Sequence, residues 1–236
     1  MQIFLSNNLN EDLIRLNKDE SRHCAKVLRM KERQQIGVVD GAGTFCIAEL
    51  TDVNHESTFA RVISRVENFG ARPFRMHLAV APTKQIDRFE WLLEKATECG
   101  VDEITPLICE KSERRVIKPE RLEKILLSAM KQSMRAFLPK LNPAVKLKQF
   151  LNNPPDEISL IAHCGQWEKD NLQKAYTRGE NLLILVGPEG DFSEQEIELA
   201  LKQGCRAISM GQHRLRTETA ALTLCIQANT MNGLLL

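Results

Sequence analysis

The sequence lacks the features that mark a disulfide-stabilised, metal-binding or membrane protein. Its cysteines are odd in number, and none lies in a C-x-x-C pair or near a histidine at metal-ligand spacing, which favours free thiols in a reducing compartment and no metal site. The seven are Cys24, Cys46, Cys99, Cys109, Cys164, Cys205 and Cys225. No apolar run approaches the roughly 18 to 20 residues of a membrane span, and the first residues lack the basic start and apolar stretch of a secretory signal. We therefore expect a cytoplasmic protein with no membrane partner.

Aromatic residues and net charge are also low. The chain has two tryptophans and one tyrosine, so few aromatic side chains are available to stack on a ligand. Its formal net charge is +1. The charge is unevenly distributed, because residues 71–150 carry 16 basic and 10 acidic side chains whereas residues 151–236 carry 7 and 11. The basic middle favours a polyanionic partner bound along one face, although a solvated helix surface explains it as well.

Residues 1–70 have the pattern of a small β-barrel. The runs Gln35–Val39 and 44–48 flank a turn that contains two glycines, which predicts a hairpin. The alternating segment 58–66 extends the sheet, and 21–30 predicts a short helix ahead of the hairpin. Closure of these strands into a barrel would remove the unpaired edges of the sheet.

After Gly70 the pattern changes to strands that alternate with helices, so we assign residues 1–70 to a first domain and residues 74–236 to a second. Ile86–Cys99 predicts a helix with one apolar face, and Gly100 supplies its left-handed stop. The predicted strands include 76–81, 103–108, 158–162 and 181–186. Their continuous apolarity indicates that both faces are covered, which is typical of a parallel sheet between helices.

A glycine-rich loop, 187–193, follows the predicted strand 181–186. Ser193 and Glu196 have the spacing of a capping box, so a helix begins directly after the loop. In open α/β sheets this carboxyl edge is where ligands bind. The loop has two acidic residues and no lysine, which suits a cationic ligand better than a phosphate. Taken alone, its glycines are weak evidence, because a structural turn into the helix explains such a loop more often than a ligand site does.

A second loop, 210–220, follows the predicted strand 205–209 and leads into an apolar helix. Thr217 is suited to be the N-cap of that helix and Glu218 to lie at the positive end of its dipole, so stability alone explains both. Arg216 is harder to explain, because a cation at a helix N-terminus opposes the dipole and needs an anionic partner.

These two loops resemble those of the SPOUT superfamily of knotted methyltransferases and, within it, the RsmE type, which methylates N3 of uridine in bacterial 16S ribosomal RNA. The matching motifs are Gly187-Pro188-Glu189-Gly190, Arg216-Thr217-Glu218-Thr219-Ala220, Lys84, Arg88, Glu90, Lys95-Ala96-Thr97-Glu98, Gly100-Val101, Gln132-Ser133 and Arg135. His23, Lys26, Val27, Leu28 and Arg29 resemble the PUA-like barrel of the same family, so the resemblance covers essentially the whole chain.

The sequence departs from the family pattern at four positions. Asp191 stands for a glycine, which is tolerable because Asp visits left-handed backbone conformations more readily than most residues. Met210 stands for leucine, and His213 and Arg214 stand for arginine and isoleucine, which leaves the contacts of the Gln212-His213-Arg214 stretch open.

The resemblance implies an α/β fold: a C-terminal SPOUT (α/β trefoil-knot) methyltransferase domain with a parallel sheet, preceded by a small PUA-like β-barrel domain. It also implies an obligate homodimer and an S-adenosylmethionine site held largely by backbone groups. The predicted cofactor-binding residues are Ala162, His163, Val186, Gly187, Pro188, Glu189, Gly190, Met210, Gly211, Leu215, Arg216 and Thr217. For His163, a role in ending the preceding strand is an equally good interpretation.

The resemblance implies uracil 1498 of 16S ribosomal RNA, within the small subunit, as the substrate, and methylation at N3 requires loss of its proton. We expect Arg216 to orient or neutralise the uracil oxygens and Glu218 to handle the proton. The predicted RNA-binding residues are Arg22, His23, Lys26, Arg29, Lys84, Arg88, Lys131, Gln132 and Arg135. Each could instead be an exposed solubilising side chain.

Three alternatives remain open from the sequence. The chain could be a non-catalytic assembly factor that binds ribosomal RNA, which the intact glycine loops disfavour. It could be a SPOUT methyltransferase that acts on another RNA. A nucleotide-dependent α/β enzyme is disfavoured by the missing lysine and by the acidic residues of the loop.

Overall fold

The computed structural model describes residues 1–152 and 157–234. The described residues form two compact units. The first contains Met1–Ala71 together with Leu127–Leu138, and the second contains Arg72–Leu126 and the described part of Pro139–Leu236. The first unit is therefore built from two separate stretches of the chain.

The first unit is a five-stranded sheet with the strand order β1-β3-β4-β5-β2. Its strands are β1 (Ile3–Leu5), β2 (Leu13–Arg15), β3 (Gln35–Val39), β4 (Phe45–Asp52) and β5 (Phe59–Val66). β1 runs parallel to β3, whereas the other neighbours are antiparallel. The predicted hairpin is confirmed, with Val39 opposite Phe45. Buried residues such as Phe4, Ile14, Ile36 and Leu50 form the core, because alternate side chains of each strand face inward.

The predicted helix at 21–30 differs from the structure. Helix α1 (Lys18–Arg22) begins earlier, because the Asn17 side chain accepts a hydrogen bond from the Glu20 N–H at 2.9 Å and caps it. The chain then widens into a π-helical turn, His23–Val27. Arg29 has a φ of 52°, a left-handed conformation that no helix can continue through.

Residues 127–138 complete the core of the first unit. Met130 and Ala136 pack against Ile3, Val39 and Phe45. The Phe137 ring covers Gly43, which has a φ of 113°, and a Cβ on this glycine would lie 2.4 Å from the ring. A glycine is therefore required there both by backbone conformation and by space.

The second unit is a sheet in which all neighbouring strands are parallel, with the order β12-β10-β11-β6-β7-β8, and β9 pairs with β7. The strands are β6 (Met76–Val80), β7 (Glu103–Ile108), β8 (Lys140–Leu141), β9 (Val145–Lys146), β10 (Ile158–Ala162), β11 (Leu182–Val186) and β12 (Arg206–Ile208). Every residue of β6 and β11 is buried. The predicted parallel sheet with two covered faces is confirmed.

The helices of this sheet are α2 (Ile86–Cys99), α3 (Pro119–Gln132), α4 (Leu147–Leu151), α5 (Leu172–Ala175), α6 (Glu194–Lys202) and α7 (Thr217–Met231). The predicted bounds of α2 are confirmed, and Gly100 ends it with a φ of 81°. The last residues of α3, from Leu127 onwards, belong to the first unit. Among the described residues, no helix has the length and apolarity to cross a membrane.

Candidate functional site

Five loops follow the parallel strands at the carboxyl edge of the sheet. β12, β10, β11, β6 and β7 are consecutive neighbours, so the ends of these strands meet at one edge. The segments that leave this edge include both loops singled out by the sequence. Hydrogen bonds then determine how the loops are joined.

The loop after β11 is tightly packed on its inner side. A Cβ on Gly187 would lie 3.1 Å from a ring carbon of Phe192, and a Cβ on Gly190 would lie 3.1 Å from the Cβ of Lys111. The predicted capping box is confirmed: Ser193 Oγ accepts the Glu196 N–H at 3.2 Å, and Glu196 Oε2 accepts the Ser193 N–H at 2.9 Å. The loop therefore enters α6 in a fixed conformation.

Thr217 joins the loops after β11 and β12. Its Oγ1 donates a hydrogen bond to the backbone oxygen of Gly187 at 3.0 Å, and its side chain is buried. The prediction that Thr217 caps α7 is wrong, because Arg216 is the N-cap and Thr217 is the first helical residue. The Thr217 hydroxyl therefore acts as a donor to a backbone carbonyl of another loop, and α7 begins without a side-chain cap.

Asp191 joins the loops after β10 and β11, a role that the sequence did not indicate. It adopts the left-handed conformation expected from its replacement of a glycine, with a φ of 63°. Its Oδ2 accepts the Cys164 N–H and its Oδ1 accepts the Phe192 N–H, both at 2.8 Å. Cys164 directly follows His163, so this bond lies beside a predicted cofactor-binding residue.

The loop after β6 is attached to the same cluster. Oε1 of Glu189 accepts the Lys84 N–H at 2.9 Å, so this predicted cofactor-binding carboxylate is engaged by backbone. The Arg114 guanidinium donates to the carbonyls of Thr83, at 3.1 Å, and Lys84, at 2.7 Å. Lys111 donates to the carbonyl of Phe192 at 3.1 Å. Sequence reasoning missed the segment after β7, although its run of basic residues between 111 and 118 was visible.

Arg216 and Glu218 differ in their surroundings. Arg216 is exposed, and no residue in the described ranges forms a hydrogen bond or ion pair with its side chain. Glu218 is buried, with Oε1 3.9 Å from Nε of Arg88. Its Oε2 is buried without a hydrogen-bond partner in the described structure. Arg88, predicted to bind RNA, thus lies beside a predicted catalytic residue.

His163 is a second buried group with unused hydrogen-bonding atoms. The residue is 8% exposed, and neither ring nitrogen has a partner among residues 1–152 and 157–234. Trp167 packs edge-on against its ring, with the centroids 5.5 Å apart. Burial, together with the nearby Lys169 ammonium, lowers the pKa of His163. The ring is therefore neutral near pH 7 and can both donate and accept a hydrogen bond.

The remaining predicted cofactor-binding residues lie on the same strands and loops. Ala162 and Val186 are paired, buried residues at the ends of β10 and β11, and Pro188 is also buried. Gly211 has a φ of 120°, and a Cβ there would meet no atom within 4 Å. Met210 is half-buried, whereas Leu215 is 41% exposed. The segment 210–216 thus borders open space.

The predicted RNA-binding residues divide between the two units. Lys84 and Arg88 belong to the second unit, and Lys84 forms an ion pair with Glu113 at 2.8 Å. The other seven belong to the first: Arg22, His23, Lys26 and Arg29 are exposed on and after α1, and Lys131, Gln132 and Arg135 lie at and after the end of α3. An ion pair between Lys131 and Glu20 brings α1 and the end of α3 together.

No three histidine, cysteine or acidic side chains come together as a metal site within the described ranges. The candidate site therefore consists of backbone groups, the buried polar atoms of His163 and Glu218, and the free cation of Arg216 in the part of the chain that the structure describes.

Family models divide the chain in the same order as the sequence pattern. Residues 71–229 match a model described as an RNA methyltransferase domain, and residues 16–63 match an RNA methyltransferase PUA domain. These matches define the class: an RNA methyltransferase with an N-terminal PUA domain.

Individual relatives cover nearly the whole chain. The ribosomal RNA small subunit methyltransferase E of Mesomycoplasma hyopneumoniae is 30% identical over 236 residues, with 96% of this chain and 100% of the relative covered. A solved structure from Porphyromonas gingivalis, described as a "probable rRNA-methyltransferase", is 38% identical, with a TM-score of 0.89 and 99% of each chain covered. A ribosomal RNA small subunit methyltransferase E from Neisseria gonorrhoeae, solved bound to S-adenosyl methionine, is 28% identical, with a TM-score of 0.88 and 98% of each chain covered.

The chain therefore belongs to the ribosomal RNA small subunit methyltransferase E family of RNA methyltransferases. The predicted RsmE-type membership is confirmed, and so is the predicted combination of a SPOUT domain with a PUA-like domain.

Proposed function

We propose that this chain transfers a methyl group from S-adenosylmethionine to N3 of uracil 1498 in the 16S RNA of the small ribosomal subunit. One observation carries the proposal most directly. The loops after β11 and β12 are joined by the hydrogen bond from Thr217 to Gly187, and the next residue in the chain, Glu218, has a buried carboxylate oxygen without a partner in the described structure. The proposal includes a cytoplasmic location, because ribosomal RNA is the substrate.

The residues at the carboxyl edge fit this cofactor. Gly187 and Gly190 carry no side chain that would cover their backbone groups, and Gly211 borders open space. Glu189 and Asp191 make the site acidic, which suits a sulfonium cation. When bound, the cofactor supplies an electrophilic methyl group. The residues proposed to hold it are Ala162, His163, Val186, Gly187, Pro188, Glu189, Gly190, Met210, Gly211, Leu215, Arg216 and Thr217.

Glu218 and Arg216 are proposed to act on the uracil. The free Oε2 of Glu218 can accept the N3 proton or hold the N–H in a hydrogen bond, while Arg88 lies on the side of Oε1. As N3 loses its proton, negative charge grows on the ring carbonyls. The guanidinium of Arg216 has no competing protein partner in the described ranges and can stabilise that charge.

The first unit is proposed to hold the RNA by its phosphates. It contains seven of the nine predicted RNA-binding residues, on α1, on the π-helical turn and at the end of α3. Basic side chains on such a surface give affinity that depends on salt rather than on sequence. We retain the functional division into a PUA-like domain, residues 1–70, and a SPOUT domain, residues 74–236, as part of the proposal.

A trefoil knot and a homodimer also belong to the proposal, since the SPOUT resemblance implies both. Trp91 on α2 and Ile226 on α7 are 44% and 41% exposed on two helices that pack together. Contact with a second copy would remove this apolar surface from water.

The test is methylation in vitro with labelled cofactor. Undermodified small subunits, free 16S RNA and transfer RNA are offered in parallel, and the product nucleotide is mapped. We expect label at N3 of one uracil in 16S RNA. Label in transfer RNA would contradict 16S RNA as the substrate but would still support the methyltransferase activity. Binding of subunits without any label would favour the non-catalytic assembly factor.

A further inference from the structure

Asp191 occupies a position where the resembling loops have glycine. Its φ of 63° lies in the left-handed region, which glycine adopts at the lowest cost. Unlike glycine, an aspartate carries a carboxylate whose hydrogen bonds can offset this cost. The structure shows two such interactions.

The carboxylate of Asp191 binds two backbone amides with separate oxygens. Oδ1 accepts the N–H of the next residue, Phe192, at 2.8 Å and fixes the local turn. Oδ2 accepts the Cys164 N–H, also at 2.8 Å, across 27 residues of sequence. A glycine at this position could make neither bond.

These bonds connect two loops of the proposed cofactor site. The Asp191 N–H donates to the carbonyl of Pro188 at 2.9 Å, which closes the turn that contains Glu189 and Gly190. On the other side, Cys164 lies next to His163, and Lys169 donates to the carbonyl of Gly165 at 2.5 Å. The loop after β10 is therefore held from both of its sides.

We propose that Asp191 is a positioning residue that preforms the cofactor site by clamping the loop after β11 to the loop after β10. This role rests on the proposed function, because it assumes that the two loops hold S-adenosylmethionine. With glycine, the loops would lose conformational freedom when the cofactor binds. With Asp191, this freedom is lost during folding, so binding costs less entropy.

The experiment compares full-length wild-type protein with Asp191→Gly and Asp191→Asn. Glycine restores the residue of the resembling loops and removes both bonds. Asparagine tolerates the left-handed conformation but has a single acceptor oxygen, so it keeps at most one bond in the observed geometry. Asn68→Gly is the matched control, because Asn68 is also left-handed, with a φ of 53°, and lies in the first unit.

Two quantities are measured: the dissociation constant of S-adenosylhomocysteine by calorimetry, and hydrogen exchange of the Cys164 amide in the cofactor-free protein. Loss of a hydrogen bond to a charged group corresponds to about a tenfold weaker equilibrium. We expect Asp191→Gly to raise both the dissociation constant and the Cys164 exchange rate about tenfold, with Asp191→Asn in between. The KM for S-adenosylmethionine should rise more than kcat falls, and Asn68→Gly should match wild type.

An unchanged Cys164 exchange rate and an unchanged dissociation constant in Asp191→Gly would overturn the clamp. If wild type itself fails to bind S-adenosylhomocysteine, the proposed function fails instead, and the Cys164 amide still reports on the clamp in the free protein. If Asp191→Gly does not fold, Asp191→Asn decides: faster Cys164 exchange and weaker binding support the clamp, and wild-type values contradict it.

Discussion

The two edges of the parallel sheet differ in the main partners of their polar side chains. At the amino edge, side chains satisfy one another: Glu103 binds Arg75 at 2.8 Å, Lys140 at 3.1 Å and Asn142 at 2.7 Å. At the carboxyl edge, side chains such as those of Asp191 and Thr217 bind loop backbone instead. The His163 ring and the Glu218 Oε2 are left without partners in the described ranges.

This difference separates stabilising groups from groups available to a ligand. His77 illustrates the amino edge, since its Nε2 lies 2.7 Å from Thr105 Oγ1, which also accepts a bond from Asn142. Glu157 is an exception there, with an unpartnered buried oxygen, but burial raises the pKa of its carboxyl and favours the uncharged form. Unsatisfied buried polar atoms are costly, so their presence beside two joined glycine loops indicates a site.

The largest effect is expected for Arg216→Ala. Removal of a group that stabilises developing charge lowers kcat by about 100-fold to 1,000-fold. The unfolding midpoint should not change, because Arg216 is exposed without a protein partner in the described structure. Turnover by labelled methyl transfer and S-adenosylhomocysteine binding are measured together, with Arg214→Ala as the neighbouring control. Near-normal turnover with intact cofactor binding would refute the role of Arg216.

At the amino edge, we expect the buried His77 to make the stability of the protein depend on pH. Burial lowers the pKa of His77 from 6.5 to about 4. Between pH 6.5 and about 4, His77 is therefore protonated in the unfolded chain but neutral in the folded protein. The free energy of unfolding falls as the pH is lowered through this window. The loss is about 3 kcal/mol at most. Urea unfolding at several pH values measures it.

His77→Gln should make the free energy of unfolding depend less steeply on pH between 6.5 and about 4. His55→Gln, at an exposed position, should leave this pH dependence unchanged. Equal slopes for wild type and His77→Gln would contradict the assignment.

Thr217→Val tests the junction between the two glycine loops. The substitution keeps the shape of the side chain but leaves the buried carbonyl of Gly187 without its donor, which costs about 1 to 3 kcal/mol. We expect weaker S-adenosylhomocysteine binding and a lower unfolding midpoint, measured by calorimetry and thermal melting. Thr217→Ser retains the hydroxyl and should recover most of both. If valine and serine behave alike, the hydrogen bond has no importance for the site.

The smallest effects are expected for single basic residues of the first unit. Arg22→Ala and Lys26→Ala should each weaken RNA binding by about threefold to tenfold and lower the salt dependence by about one phosphate contact. Titrations of 16S RNA fragments at several salt concentrations measure both quantities. Lys202→Ala, on α6 of the second unit, is the control and should have no effect. An equal loss in Lys202→Ala would indicate a general charge effect.

The sequence predicted the elements of the second unit well because its signals are local. Continuous apolar runs gave β6 and β11, and the capping box gave the start of α6. The start of α1 differs from the prediction because Asn17, which lies ahead of the predicted helix, caps it.

The connections between the loops could not be predicted. Asp191 forms a hydrogen bond with Cys164, 27 residues away in the sequence, and Arg114 forms one with Lys84, 30 residues away. These contacts depend on the order of the strands in the sheet, which a local sequence pattern does not reveal. The contact of Thr217 was unpredictable for the same reason, because local preference predicts a helix cap, whereas in the folded chain the hydroxyl donates to the carbonyl of Gly187. The candidate residues came from motifs, whereas their partners came only from the tertiary structure.

Because the first unit is built from Met1–Ala71 and Leu127–Leu138, it cannot be separated from the rest of the chain by a single cut. A fragment ending at Ala71 contains all five strands of this unit but lacks Met130, Ala136 and Phe137. Ile3, Val39 and Phe45 would then face water, and Gly43 would lose its covering ring. Exchange of this unit between proteins by a single recombination point after Ala71 would thus leave its core unfinished.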